Sequence, residues 1–222
     1  MSDPSIGDPS TRVSRLSERQ RMDRADLDAV LDATPLAVVA FVRDSHPVAL
    51  PIGFARLGDE VVIHGSTGSP WLCTLATGVP ASVCVTLLDG VLVARSGFES
   101  SFHYRSAVLF GGFTVIGDDE KDDYLRELTD SFIPGRTAEL RASSTRELAA
   151  TQVLAIAIGA DNWSVKVADG WPEDDPEDVA SGVWAGVIPI ETRYRPPLRA
   201  PDCDEGVPVP ASVRGMTGLS GA

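Results

Sequence analysis

Short apolar segments joined by short polar turns constrain the fold of this chain more than any other feature. Residues 36–42, 46–54 and 60–64 are rich in Val, Ile, Leu, Phe and Ala, and polar turns separate them. Connections of about 3–5 residues are typical of antiparallel hairpins. Long helices do not alternate with these strands, so a parallel doubly wound sheet is disfavoured. The pattern predicts a mainly β, antiparallel barrel, a closed form that leaves few strand edges exposed.

The rest of the chain continues this pattern and adds a few helices. We expect further strands at 81–88, 91–95, 103–116, 151–158 and 164–167, and helices at 24–33, 71–77, 118–133 and 145–150, with a last apolar segment at 183–189. The pair Asp89-Gly90 predicts a turn between two of these strands. We therefore expect a flexible leader over 1–20, a single domain over 21–190 and an irregular tail over 191–222.

Charge and composition exclude several classes of partner. The net charge is −13, and such a field repels both nucleic acid and an anionic membrane surface. No apolar run approaches the ~20 residues of a membrane-spanning helix. The first residues are polar and lack the apolar core of a secretion signal, which favours a cytoplasmic location. The three cysteines and three histidines have no metal-ligand spacing, so we expect no metal site.

The first candidate binding segment lies between a predicted strand and a predicted helix. It contains His64, Gly65, Ser66, Thr67 and Ser69. Glycines let a backbone approach a ligand closely, and hydroxyls and a helix N-terminus attract an anion. The segment therefore suits a phosphate held by main-chain donors. A plain glycine-rich turn with a helix cap explains the same residues and stays open.

The other candidate residues lie on later strands. Tyr104, Arg105 and Ser106 are consecutive on one strand, where Arg105 could grip a phosphate and Tyr104 could stack on a ring. Successive strand residues point to opposite faces, so the three cannot all serve one pocket. Lys166 could approach a ring or a phosphate, and Trp184 could form a pocket wall. A rim position for Arg105, a solvated lysine and a core tryptophan are the structural alternatives.

Five motifs in a fixed order carry a resemblance to a known family. They are PIGF (51–54), VVIHGSTGSPW (61–71), SFHYRSAVLFGG (101–112), NWSVKVADGWPEDDPED (162–178) and VWAGVIP (183–189). In this order the chain resembles the FMN-binding split-barrel proteins related to pyridoxamine 5′-phosphate oxidase, including the nitroimidazole-resistance branch. The resemblance spans roughly residues 20–190.

The resemblance implies an antiparallel split β-barrel of Greek-key type with inserted helices. It implies non-covalently bound FMN and a homodimer with two sites between the subunits. The residues it assigns to the cofactor are Leu50, Pro51 and Ile52 beside the ring, His64, Gly65, Ser66, Thr67 and Ser69 around the phosphate, and Tyr104, Arg105, Ser106 and Trp184 closing the site. Lys166 is added as a cofactor contact from its place on the strand. Trp184 would come from the partner chain, and His64 would lie near the flavin as the catalytic acid or base.

Three hypotheses for function follow. The first is an FMN-dependent oxidoreductase acting on a small organic molecule, in which the flavin carries the electrons. The second is a non-catalytic flavin store or sensor. The third is another ligand in the same barrel, haem or a deazaflavin, with His46, His64 and His103 as available histidines. Pyridoxal-phosphate synthesis is not expected, because the substrate-binding basic residues of the true oxidases are missing.

Overall fold

The computed structural model describes residues 11–12 and 17–218, and within them it contains ten strands and six helices. The strands are β1 (Gln20–Arg21), β2 (Leu36–Arg43), β3 (His46–Leu57), β4 (Glu60–Ser66), β5 (Pro80–Val93), β6 (Ser101–Gly112), β7 (Thr114–Val115), β8 (Thr151–Ala157), β9 (Trp163–Ala168) and β10 (Gly186–Pro189). The helices are α1 (Arg24–Leu31), α2 (Pro70–Leu75), α3 (Lys121–Phe132), α4 (Thr145–Ala150), α5 (Pro176–Ala180) and α6 (Ala211–Thr217). None of the described helices is long and apolar enough to span a membrane.

The strands form one antiparallel sheet that closes into a barrel. Their order is β1-β9-β6-β5-β2-β3-β4-β8-β7, and β10 pairs with β5. Only Phe113 separates β6 from β7, so a single bent segment pairs with β5 at one end and with β8 at the other. The return of β5 to lie beside β2, after the meander β2-β3-β4, is a Greek-key arrangement. The predicted antiparallel split barrel is confirmed.

Two apolar clusters fill the two sides of the barrel wall. The main core lies inside and includes Val39, Phe54 and Ile63, and α1 closes one end through Leu27 and Val30. A second cluster lies outside the wall, between α3 and the strands β3, β4 and β8. Both faces of β4 are therefore covered, which explains why its apolar run shows no simple alternation.

The structure differs from the predicted elements at three places. β5 runs unbroken from residue 80 to residue 93, because Asp89 forms a bulge between Leu88 and Gly90 in place of the predicted turn. The predicted strand 103–116 bends at Phe113, which closes the barrel. The tail expected to be irregular contains α6 at Ala211–Thr217. The predicted leader lies mostly outside the described residues, although Gln20 pairs with β9.

Candidate functional site

The segment that follows β4 is held by its own hydrogen bonds. The Ser69 N–H donates to the Ser66 carbonyl over 2.9 Å, and the Gly68 N–H donates to the Ser66 hydroxyl oxygen over 3.2 Å. The Thr67 N–H donates to the Ala150 carbonyl over 3.0 Å. These three main-chain donors are engaged within the protein, which corrects the expectation that they are free for a phosphate. The hydroxyls of Ser66 and Ser69 remain among the donors of this turn.

His64 lies on the outside of the barrel wall and carries an unpaired polar atom. It faces Val153 across the ladder, and Val62, on the same face of β4, is buried in the second cluster. Its Nδ1 is buried and has no hydrogen-bond partner among the described residues. Burial lowers the pKa of His64 below its ordinary value because the imidazolium would lose hydration. The side chain is therefore neutral near pH 7, and one of its ring nitrogens is buried without a partner.

The three residues expected beside a flavin ring do not share a face. Leu50 and Ile52 point inward and pack against the main core, whereas Pro51 is exposed on the outside and pairs with Val38. The period of two along a strand imposes this separation. Only Pro51 can therefore line a site on the outer surface through its side chain.

The consecutive residues on β6 divide in the same way. Arg105 points toward Leu87, and its guanidinium makes two hydrogen bonds to the Asp89 carboxylate, of 2.9 and 2.8 Å. The hydrogen bond to Asp89 raises the pKa of Arg105, so the guanidinium is charged and already paired. Arg105 therefore does not reach a phosphate on the outer surface, because it lies on the opposite face from Tyr104 and Ser106.

Tyr104, Ser106 and Lys166 come together on the outer surface. Ser106 pairs with Lys166 of β9 and with Thr86 of β5, so these three polar side chains form a row across three strands. The Lys166 Nζ lies 5.9 Å from the centroid of the Tyr104 ring, within the range of a cation–π contact. We call Thr86, Ser106 and Lys166 the polar row.

Apolar side chains surround the polar row on one continuous surface. This outer face consists of Leu36, Val38 and Val42 on β2, Pro51 on β3, Cys84, Thr86 and Leu88 on β5, Phe102, Tyr104, Ser106 and Val108 on β6, and Ser164 and Lys166 on β9. Leu36 is 57% exposed, Val42 61% and Leu88 49%. Sequence reasoning missed the β2 and β5 members. The available signal was that β2 is apolar on both faces, which is typical of a strand covered on both sides.

Trp184 extends the outer face at one end. Its ring lies against Gly186, where an added Cβ would come within 2.8 Å of the tryptophan Cζ2. Gly186 and Ile188 share a face of β10, and Ile188 follows Val91 and Phe102 in a row across the paired strands. The tryptophan is 65% exposed. The structure thus brings together Pro51, Tyr104, Ser106, Lys166 and Trp184, and leaves Leu50, Ile52 and Arg105 elsewhere.

The comparisons with known proteins agree with this architecture. The family model for pyridoxamine 5′-phosphate oxidase matches residues 23–164, which include β2 to β8. No curated protein matches the chain. Among the described residues, no group of three or more His, Cys, Asp or Glu side chains is arranged to hold a metal ion.

Two solved structures are similar over nearly the whole chain. The FAD and haem binding protein from Mycobacterium smegmatis is 66% identical, with a TM-score of 0.89, covering 90% of this chain and 97% of its own. The flavocytochrome Anf3 from Azotobacter vinelandii is 36% identical, with a TM-score of 0.87, covering 93% and 95%. A Bacteroides thetaiotaomicron protein named for 5-nitroimidazole antibiotic resistance is 16% identical, with a TM-score of 0.55, and covers 67% and 86%. This third likeness shows the fold alone.

Proposed function

Because the chain belongs to the pyridoxamine 5′-phosphate oxidase family of flavin-binding split barrels, we propose that it is a redox protein that holds FAD together with a non-covalent haem. FMN was the flavin expected from the sequence. FAD is proposed in its place because the relative that is 66% identical is named for FAD and haem, and the second is named a flavocytochrome. The flavin supplies the electron-transfer chemistry when it is bound.

The outer face with its polar row is the observation that carries the flavin proposal. An isoalloxazine ring is flat and largely apolar, with polar atoms along its edges, and it needs an apolar surface and a few well-placed donors. The apolar members of the outer face supply that surface. Thr86, Ser106 and Lys166 supply hydroxyl and ammonium donors in one row, and Tyr104 and Trp184 add aromatic walls.

A second copy of the chain is proposed to cover the outer face. Leu36, Val42 and Leu88 are about half exposed on a sheet that is otherwise well formed. A contiguous apolar patch of this kind is typical of a protein–protein interface. A twofold dimer places the same patch on both partners and encloses two equivalent sites. Trp184 would then line the site of the partner subunit.

His64 is the proposed axial ligand of the haem. The sequence lacks the Cys-x-x-Cys-His motif of covalently attached haem, so the haem would be held by coordination and packing. His64 is half-buried and neutral, and its unpaired Nδ1 is buried, so Nε2 is the nitrogen proposed to bind the haem. His46 and His103 are the alternatives, because each has one ring nitrogen 2.7 Å from a backbone carbonyl oxygen, of Asp44 and Gly170 respectively, a contact that orients the ring and leaves its other nitrogen for a ligand.

The flavin proposal is tested by identifying the released chromophore. The purified full chain is denatured and the extract is analysed by mass spectrometry. We expect FAD, and FMN alone would correct the choice of flavin. A Lys166→Met variant, which keeps most of the length of the side chain but removes its charge, should release less flavin because it binds less. A protein that contains no flavin and binds neither FAD nor FMN when they are added would refute the proposal.

The haem proposal is tested by titrating the purified protein with haem and recording the Soret band. Three single variants are compared: His46→Ala, His64→Ala and His103→Ala. We expect only His64→Ala to lose the spectrum of a ligated haem, and added imidazole to restore it in that variant. Loss in His46→Ala alone would move the ligand to the β2–β3 hairpin.

Turnover distinguishes an oxidoreductase from a flavin store or sensor. We propose an oxidoreductase, so NADH or NADPH should bleach the bound flavin, and oxygen or a nitro compound should restore the colour repeatedly. Flavin that reduces only with dithionite and never turns over would favour the store or sensor.

A further inference from the structure

An extended segment beyond the family model runs along one edge of the outer face. Residues 191–199, here called the arm, contain neither helix nor strand and follow β10 directly. The family model ends at residue 164, so the arm is outside the part that defines the family. Within the described part of the chain, the backbone of the arm makes no hydrogen bond, although its neighbour Ile190 donates from its N–H to the Asp89 carbonyl over 2.9 Å. The arm is therefore fixed at its start but not along its length.

Tyr194 shows where the arm goes. It lines a cavity of about 100 Å³ together with Pro35 at the start of β2 and Phe132 at the end of α3. The Phe132 ring lies 3.3 Å from the position of a Cβ added to Gly53, and Gly53 pairs with Leu36 of the outer face. The arm thus crosses from the bulge of β5 to the start of β2, at the edge of the proposed cofactor surface.

The same edge approaches His64. The β3–β4 ladder pairs Phe54 with Ile63, so the next step of an antiparallel register sets Gly53 beside His64. An open hollow of about 670 Å³ is bordered by residues 191–196 alone. The arm therefore lies near the start of β2, at the edge of the outer face where Gly53 adjoins His64.

The arm carries cations that the protein does not use. Arg193 is 80% exposed and has only a loose 3.6 Å contact with the equally exposed Glu191. Arg195 has no ion pair or hydrogen bond to any other residue that the structure describes. Arg199, in contrast, donates to the carbonyls of Asp204 and Val207. One arginine without a partner and one in a loose, exposed ion pair are thus available to an anion, in a chain of net charge −13.

Two of the groups first expected to bind a phosphate are already engaged within the protein. The N–H groups of Thr67, Gly68 and Ser69 after β4 have partners, and Arg105 is paired with Asp89 on the opposite face. Both proposed cofactors carry anionic oxygens, on the phosphates of a flavin nucleotide or on the propionates of a haem. Arginine binds either group through paired, charge-assisted hydrogen bonds.

We propose that the arm is the anion-binding rim of the cofactor site, with Arg193 and Arg195 binding the phosphate or propionate oxygens of the bound cofactor. Tyr194 borders the same small cavity as Pro35 and Phe132, which keeps the arm and its two guanidiniums at the edge of the outer face. This inference rests on the proposed function. It assigns a binding role to residues outside the family model.

The test compares charged and uncharged forms of each ligand. The full chain and the double variant Arg193→Glu, Arg195→Glu are titrated with FAD, FMN and riboflavin, and with haem and its uncharged dimethyl ester. Loss of two charge-assisted hydrogen bonds should weaken the affinity for the charged ligand by at least about tenfold. The affinity for riboflavin, or for the dimethyl ester of haem, should change by less than about threefold. Arg126→Glu on the exposed side of α3 is the single-charge control.

The outcomes separate the two sources of the anion. Weaker FAD and FMN with unchanged riboflavin assigns the rim to phosphate, and weaker haem with unchanged diester assigns it to propionate. Either result supports the proposal. The anion-binding role of the arm is refuted if the affinity for every ligand is unchanged, or if charged and uncharged forms lose affinity equally. The proposed function stands in both cases. If the unaltered chain binds neither cofactor, the proposed function itself fails.

Discussion

Replacing Leu36 by Thr on the outer face should weaken the proposed dimer by a calculable amount. Leu36 is 57% exposed, and full burial of a leucine contributes roughly 1.5–3 kcal/mol. Covering the exposed part therefore contributes about 1 kcal/mol per copy after allowing for the methyl group that threonine keeps. A twofold interface counts the change twice, so the dimer should lose about 2 kcal/mol, which is about thirtyfold in Kd.

Sedimentation velocity over a concentration series measures this change. Threonine has a higher strand propensity than leucine, so the variant should keep the fold of β2. Thermal unfolding of the monomer checks this. The matched control is Leu140→Thr, because Leu140 is 47% exposed but lies after α3, away from the outer face. A Leu36→Thr dimer that dissociates no more readily than the Leu140→Thr dimer would refute the assignment of the interface.

Three further predictions concern single side chains. Arg95→Ala leaves the fully buried Asp174 carboxylate without its ion pair and should lower the free energy of unfolding by about 3 kcal/mol in urea, an expectation that a change below 1 kcal/mol would refute. Burial lowers the pKa of His64, so its NMR titration should have a midpoint below 6.5. Because the folded state then binds the proton less readily than the unfolded state, the free energy of unfolding should fall as the pH drops below 6.5. The His64→Gln variant should not show this fall. The hydrogen bond to Glu60 raises the pKa of Tyr124 to about 12, so ultraviolet titration should show Glu60→Gln ionising nearer pH 10, whereas an unchanged midpoint would contradict that cause.

The local pattern of the sequence was sufficient to predict most of the barrel. The pattern of strands bounded by short turns and the helix predicted at 24–33 depend on neighbouring residues, and the structure confirms both. The bulge at Asp89 was mistaken for a turn because Asp-Gly favours both. The choice depends on the partner strands β6 and β10, which are distant in sequence.

The candidate site was predictable only in part, because strand parity and pairing decide which side chains meet. Parity separated Arg105 from Tyr104 and Ser106 in the sequence itself, but the pairing of Ser106 with both Thr86 and Lys166 requires the register of three strands. The engagement of the Thr67 N–H by Ala150 joins segments that are far apart along the chain. No local signal reports such a contact, so the turn looked open to a phosphate.

Native mass spectrometry of the purified full chain, in samples saturated with FAD, with haem and with both, tests whether two copies enclose the cofactor surface. We expect a dimer that retains one flavin per copy, and haem as well in the sample that contains both. A monomer that retains neither cofactor in any sample would contradict a cofactor surface enclosed between two copies.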